Sequence, residues 1–341
     1  MQLKIAIIFN EPKSDRYSDM GEFKAVAGVL EEVRPVHKAL TELGHTITKV
    51  PLRPPVEQVR DKLKTIRADL VFNLFEGFEG QPQTEAIVAG MLCELGLPFT
   101  GNLPSTLALA LDKAKAKKIL ESDGLRTPRY QSLNPENLNL FHLNFPCIVK
   151  PLGEDASHGV SEESVVKDLD QLEKQVKKVS ELFGGNSLVE EFLEGREFNV
   201  TLLGNKEPVV LPVAEMVYSL PPEFPRLLTF AAKWYEESLY YKGTRATCPA
   251  EIEEEERQRI SQTALTAFKL LDCRGYARVD MRMDAEGVPN VLEVNPNPDI
   301  SPGYGAARQA AAAGMSYSQF IEKIVMYALE EHLYGRVRET V

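Results

Sequence analysis

GYARVDMRMDAEGVPNVLEVNPNPDISPG, residues 275–303, holds two runs of alternating apolar and polar residues and then stops in a proline-rich loop. The runs flank Glu286-Gly287, a pair suited to the tip of a β-hairpin. If those two residues form the loop, Asp280 stands opposite Glu293 and Arg278 opposite Asn295. All four then share one face, while Val279, Met281, Leu292 and Val294 share the other. Directly opposed strand residues have Cβ atoms about 4.5–5.5 Å apart, so two carboxylates placed there repel unless a cation lies between them. With only hard oxygen donors on offer, the fitting ion is Mg²⁺, with Mn²⁺ as an alternative. Mg²⁺ keeps positions for water and substrate phosphate, so this face implies a nucleotide. The plainer reading is a solvated hairpin face. Against it stand a wholly apolar opposite face and an end too rich in proline for a flexible tip.

Upstream, the first hundred residues alternate strand and helix patterns. LKIAIIF, a helical run over Phe23–Leu43, HTITKV, a helix near Val56–Arg67, DLVFNLF and a helix near Thr84–Leu95 follow one another. That alternation predicts an open layer of parallel strands. We place the unit boundaries at 1–105, 106–186 and 187–341. The middle unit holds the strand FPCIVKP, a polar glycine loop and a helix over Leu169–Phe183. The last holds several strands, a helix near Glu251–Leu271, the hairpin and two terminal helices. The run EIEEEE (251–256) reads as a helix N-terminus, where carboxylates suit the helix dipole.

Bulk properties narrow the function. The 341 residues are 43% hydrophobic and 26% charged, ordinary values for a globular protein with ample core. A formal net charge of −11 argues against a nucleic-acid backbone as partner but leaves room for local lysines to hold phosphate. No apolar run is long enough for a membrane span, and MQLKIAIIFN reads as a first strand, so the expectation is a cytoplasmic protein. Cys93, Cys147, Cys248 and Cys273 are far apart and form no CxxC, which predicts buried, reduced thiols.

Three further segments carry polar side chains in apolar settings. IVKPLGEDASHGVS (148–161) delivers Lys150 into a loop with Gly153 and Gly159, whose backbone N–H groups can wrap phosphate. It lacks the GK[ST] of a Walker loop. Lys113 lies in ALDKAKAKK, where a surface lysine is the plainer reading. In SLVEEFLEGREF (187–198), Glu190 and Glu197 flank a turn between two apolar strands, and a carboxylate there can accept from ribose hydroxyls.

In chain order stand LDK, IVKP with its glycine loop, VEEFLEGREF, RVD and LEVN. This set resembles the ATP-grasp enzymes, and within them the D-alanine–D-alanine ligase family, from about Phe72 to the C-terminus. The resemblance implies an α/β ATP-grasp fold of three domains, the first a parallel-sheet domain preceding the two ATP-grasp halves. It implies that Lys113 and Lys150 contact phosphates and adenine. Glu190, with the backbone of Glu191 and Phe192, would hold the adenine hinge, and Glu197 the ribose. Asp280, Glu293 and Asn295 would bind two Mg²⁺ ions, Arg278 and Lys233 the transferring phosphoryl group, and Ser157 the γ-phosphate. Gly153 and Gly159 would belong to the phosphate loop. It further implies small amino-acid or peptide substrates and a homodimer.

The amino-acid half departs from the family pattern. The family orients its first substrate with a Glu–Ser–Tyr triad; here Leu30, Ala156 and Trp234 stand at those positions. NPNPDISPGYG replaces NTxPGMTxxS, with Asp299 where glycine is expected and Tyr304 near the serine that helps hold the second substrate. Asp299, Ser301, Gly303, Tyr304 and Trp234 are therefore the candidate substrate-contacting residues. The expected function is an ATP-dependent carboxylate–amine ligase whose substrate differs from D-alanine. The alternatives are a genuine D-alanine–D-alanine ligase and a non-catalytic ATP-binding scaffold. A dinucleotide-dependent dehydrogenase is excluded, since FNEPKS follows the first strand where GxGxxG would be needed.

Overall fold

A computed structural model describes residues 2–11, 23–78, 80–153 and 159–339, and its strands form three sheets. The first is parallel, in the order β2–β1–β3, and joins β1 (Lys4–Asn10), β2 (Thr46–Leu52) and β3 (Leu70–Leu74). All five residues of β3 are buried, as expected when helices cover both faces of a parallel sheet. Ile5, Ile7 and Phe72 point to one side, where Val36 and Leu40 of the helix Phe23–Glu42 meet Phe320 and Ile324 of the last helix, Tyr317–Glu339. Ala6, Ile8 and Val71 point to the other, against Val88 and Leu92 of the helix Thr84–Glu94. The C-terminal helix thus returns to the N-terminal sheet.

The second sheet is antiparallel, β4–β7–β5–β6, from β4 (Tyr130–Leu133), β5 (Cys147–Pro151), β6 (Val165–Val166) and β7 (Ser187–Glu191). Its helix, Leu169–Phe183, begins where the Asp168 side chain accepts from the Gln171 N–H and ends at Gly184 with φ +74°. Leu172, Val176 and Val179 form its apolar stripe, packed on Val149 and Val189.

The third sheet runs β11–β10–β8–β12–β13, with β9 (Val209–Val210) also paired to β8. Its other members are β8 (Glu197–Leu203), β10 (Ala214–Tyr218), β11 (Thr244–Thr247), β12 (Tyr276–Met283) and β13 (Pro289–Asn295). Phe198, Val200, Val279, Met281 and Val294 bury one face against Ile260, Ala264 and Phe268 of the helix Glu254–Leu270. Period-2 alternation therefore sends Arg278, Asp280 and Glu293 to the opposite face.

The hairpin register is the expected one at its inner end: Arg278 pairs with Asn295 and Asp280 with Glu293. It then slips, because Met281 pairs with Val291 and leaves Leu292 unpaired in a bulge. The turn is also longer than two residues. It spans Asp284 to Val288, where the Asp284 carboxylate accepts from the N–H groups of Glu286 and Val288. Leu292, expected on the apolar face, lines the opposite cavity, and Val291 takes its place in the core. A bulge re-aims side chains in this way.

The cysteines correct a second expectation. All four are free, but only Cys147 and Cys273 are buried; Cys93 is exposed and Cys248 half-buried. Among the described residues no helix is long and apolar enough to cross a membrane.

Candidate active site

Between the second and third sheets, one cavity is lined by Lys113, Lys150, Glu190, Glu191, Phe192, Glu197, Lys233, Arg278, Asp280 and Glu293. These ten candidates come together although they span 180 positions of the chain, from 113 to 293. The deepest part is an ion triad. Glu190, only 1% exposed, receives Lys117 at 2.6 Å on Oε1 and Lys150 at 2.6 Å on Oε2. The Lys117 contact is a charge pair whose angle falls outside hydrogen-bond geometry. Burial alone would raise the Glu190 carboxyl, but the two ammonium groups more than offset it and hold it below its usual range. Burial pushes Lys117 down, against the pull of Glu190.

Lys117 was not among the sequence candidates. It follows Lys113 by four residues on the helix Lys113–Ser122 and so shares its face, a signal the sequence does carry. Both lysines are buried, at 5% and 2% exposure.

On the hairpin, Arg278 binds Asp280 bidentately, with both contacts at 2.7 Å. Glu293 Oε2 lies 3.9 Å from Lys113 Nζ. Burial opposes its charge, yet Lys113, Lys150, Arg278 and Lys233 together pull the Glu293 carboxyl down to about 2. Lys233 is itself lowered, first by burial and then by Arg278. The Asn295 amide oxygen accepts from the Asn297 N–H at 2.9 Å and, having a second lone pair, can still ligate.

These residues fit a hard divalent cation: two carboxyl groups directly opposed, with an amide oxygen further along the same strand. Among the described residues no group of three or more His, Cys, Asp or Glu is placed to hold a metal by itself. Any such ion takes its remaining ligands from elsewhere, as Mg²⁺ does from phosphate and water.

The hinge differs in detail from expectation. The N–H groups of Glu191 and Phe192 are already given to the carbonyls of Arg129 and Pro146, at 2.9 and 2.8 Å. The next residue, Leu193, lines the cavity, and its N–H has no acceptor among the described residues. The Glu191 side chain is engaged by Arg129 and Asn144. Of the glycines, Gly159 (φ +70°) needs its lack of a side chain, since a Cβ would lie 2.5 Å from the Phe183 ring; Gly153 has open space around it. Ser157 lies outside the described residues.

The five substrate candidates lie outside this cavity's lining. Ser301 is buried, Asp299 half-buried and Tyr304 exposed. Gly303 has φ +87°. Trp234 packs close to Gly28, where a Cβ would sit 3.2 Å from the indole.

The loop after β13 is held by polar groups as much as by proline. Asn102 donates to the Pro296 carbonyl at 2.6 Å, Asn297 donates to Glu85 at 2.8 Å, and Glu32 accepts the Ile300 N–H at 2.8 Å. Glu32 is a second residue missed from sequence. Leu30, expected at the position of the family's triad carboxylate, is 44% exposed, whereas Glu32 on the same helix is 5% exposed and turns into the loop.

Burial, reinforced by Asp299 and Glu76, raises the Glu32 carboxyl well above its usual range. A raised carboxyl favours the fold below its unfolded pKa, and that contribution is lost as pH rises through the folded value. Glu32→Gln keeps the acceptor and removes the titration. The variant's thermal midpoint relative to the parent is expected to be higher at pH 8 than at pH 5. An offset independent of pH would show that Glu32 does not titrate in this way.

Comparisons with known proteins agree with the geometry. The family profile described as "D-ala D-ala ligase C-terminus" matches residues 119–326. A D-alanine–D-alanine ligase of Desulforudis audaxviator is 31% identical over 307 residues, covering 88% of this chain and 94% of the relative. An uncharacterized protein of Sinorhizobium fredii is 36% identical over 256 residues, covering 75% of this chain and 73% of its own length. Among solved structures, the D-alanine–D-alanine ligase of Bacillus anthracis in complex with ATP superposes with a TM-score of 0.75 at 23% identity, covering 98% of this chain and 99% of that one. The D-Ala:D-Ser ligase of Enterococcus faecalis gives 0.74 at 21% identity, covering 96% and 100%.

Proposed function

This chain belongs to the D-alanine–D-alanine ligase family of ATP-grasp enzymes, and from that premise we propose that it joins a carboxylate to an amine at the expense of ATP, with a substrate other than D-alanine alone. What carries the reading is the opposed pair Asp280 and Glu293 on the cavity wall, with the Glu293 carboxyl held low by Lys113, Lys150, Arg278 and Lys233. A solvated hairpin face has no need of four cations around one carboxylate, and a nucleotide scaffold has no need of the metal-ligating set.

In this reaction the substrate carboxylate attacks the γ-phosphorus of ATP, the bond to the bridging oxygen breaks, and ADP leaves with that electron pair. The acyl phosphate formed is then attacked by the amine. Phosphate departs from the carbonyl carbon and the amine proton is released, giving the amide. Asp280, Glu293 and Asn295 would hold Mg²⁺, which would supply charge neutralisation at the phosphate oxygens. Lys113 and Lys150 bind the polyphosphate, and Lys233 and Arg278 meet the charge that spreads over the phosphoryl group. Arg278 and a backbone N–H near Asp299 serve the second step, where an oxyanion develops. Glu190 and the Leu193 N–H face the base, and Glu197 the ribose.

The substrate departs from D-alanine because the amino-acid side is rebuilt. Trp234 fills the space against Gly28, and Asp299 meets a buried Glu32 where the family pattern has glycine. We further propose a cytoplasmic homodimer with small amino-acid or peptide substrates, organised in the three units 1–105, 106–186 and 187–341. The test is a screen of acid and amine pairs with ATP and Mg²⁺, reading ADP release and product mass. A mixed amide with little D-alanyl-D-alanine is the expected result. Stoichiometric D-alanyl-D-alanine would make the chain an ordinary member of its family. Nucleotide binding without turnover on any pair would favour a scaffold.

A further inference from the structure

Glu197 stands at the centre of a three-strand cluster on the cavity face of the third sheet. Arg282 lies directly opposite it on β12, and Tyr218 lies two residues beyond its partner Met216 on β10. Both donate to the same oxygen: Arg282 Nη2 reaches Glu197 Oε2 at 2.6 Å and Tyr218 Oη reaches it at 2.8 Å. No donor among the described residues bonds Oε1, and Glu197 lines the cavity. A carboxylate with one oxygen held by two charge-assisted or short bonds has its plane and rotamer fixed.

The two donors are themselves anchored. Arg282 is 3% exposed, donates to the carbonyls of Leu193 and Arg226, and lies 5.2 Å over the Phe192 ring. It ties Glu197 to the hinge and to the proline-rich segment ahead of the helix Phe230–Trp234. Burial and the Glu197 charge raise the Tyr218 phenol well above its ordinary value, so it remains a donor at all working pH.

We propose that Tyr218 and Arg282 are positioning residues that turn Glu197 Oε1 toward the nucleotide, so that this chain selects ribose over 2′-deoxyribose through one pre-oriented oxygen. The inference rests on the nucleotide reading above. A ribose diol offers two hydroxyl donors to that single oxygen, and a hydrogen bond to a charged acceptor is worth about 1.5–3 kcal/mol, or roughly 10- to 100-fold in affinity. Removing the 2′-hydroxyl forfeits part of this only if Oε1 already points at the sugar.

Equilibrium titration of the full chain with Mg²⁺-ATP and with Mg²⁺-2′-deoxy-ATP, in the absence of acid and amine substrates, tests it. The parent is expected to prefer ATP by about tenfold or more. Tyr218→Phe, which keeps the ring and removes the donor, should shrink that ratio by about threefold or more while lowering the melting midpoint by several degrees at most. Arg282→Lys, which keeps a cation and gives up the forked contacts, should shrink it as well, and covers the case of a poorly folding Tyr218 variant. A ratio near one in the parent, or a parental ratio kept in the variants, overturns the assignment of Tyr218 and Arg282 while leaving nucleotide binding in place. Failure of the parent to bind either nucleotide overturns the nucleotide reading and this inference together.

Discussion

Glu293→Gln is expected to lower turnover by roughly three orders of magnitude, a loss typical of removing one preorganised charge from a phosphoryl-transfer site. The substitution is nearly isosteric, so the fold should survive with its unfolding midpoint within a few degrees of the parent. Its effect is electrostatic. Lys113 sits 3.9 Å from the carboxylate, and Lys150, Arg278 and Lys233 all stabilise its charge. Neutralising it leaves those cations facing any incoming divalent ion with one carboxylate, Asp280, which Arg278 already holds in two bonds. Nucleotide binding in the absence of Mg²⁺ should persist or strengthen, because the site has become more positive, while the stimulation by Mg²⁺ disappears. Equilibrium nucleotide titration without Mg²⁺ measures the first, and ADP release over a Mg²⁺ titration the second. Activity within about threefold of the parent, at the parental Mg²⁺ requirement, would remove Glu293 from the metal site.

Glu190→Ala is expected to have the largest effect on stability, on the order of 3–5 kcal/mol, the usual consequence of removing one partner from a buried ion pair. Lys117 is 2% exposed and Lys150 side-chain exposure is 15%, so neither ammonium can simply turn to water. Without Glu190, the least costly outcome is loss of a proton from Lys117, whose ammonium is already disfavoured by burial. The unfolded chain would then bind more protons than the folded one, so the variant's stability should rise with pH toward the ordinary lysine range. Urea unfolding of parent and variant at pH 7 and pH 9 reads this directly, with a smaller deficit expected at pH 9. Adding Lys117→Met to Glu190→Leu should recover much of the loss, because an apolar replacement of both partners removes the desolvation problem. A deficit below about 1 kcal/mol at pH 7 would mean that the triad is not buried as an ionised group.

Much of the architecture is readable where local rules decide it. The period-2 runs on either side of Asp284–Val288 place Asp280 against Glu293, because alternation and an apolar face admit few registers. The helix Leu169–Phe183 is bounded by an Asp N-cap and a positive-φ glycine that the sequence displays openly. Lys117 was legible too, four residues beyond Lys113, once one asks which lysines share a helix face.

Other features depend on parts of the chain that meet only after folding. The place of Leu292 is set by Val291, whose N–H goes to the Arg126 carbonyl at 2.8 Å and whose side chain fills the core. Glu32 becomes a buried carboxyl by meeting Ile300, 268 positions away in the chain. The hinge N–H groups of Glu191 and Phe192 are taken by Arg129 and Pro146, neighbours that no spacing in VEEFLEGREF reveals.

The unpaired Leu292 also divides the hairpin into two mechanically separate halves. Outward of it, Met281 to Met283 pair with Val291 to Pro289 and close through the Asp284–Val288 turn; inward, Arg278 to Asp280 pair with Asn295 to Glu293. A length change in the turn that slid the outer half by one residue would be taken up at the irregular position. It would not reach the inner half, where a slip of one residue would send both carboxylates to the wrong side of the sheet. Over evolutionary time the tip can drift in length and sequence, while the acidic pair inherits the same geometry.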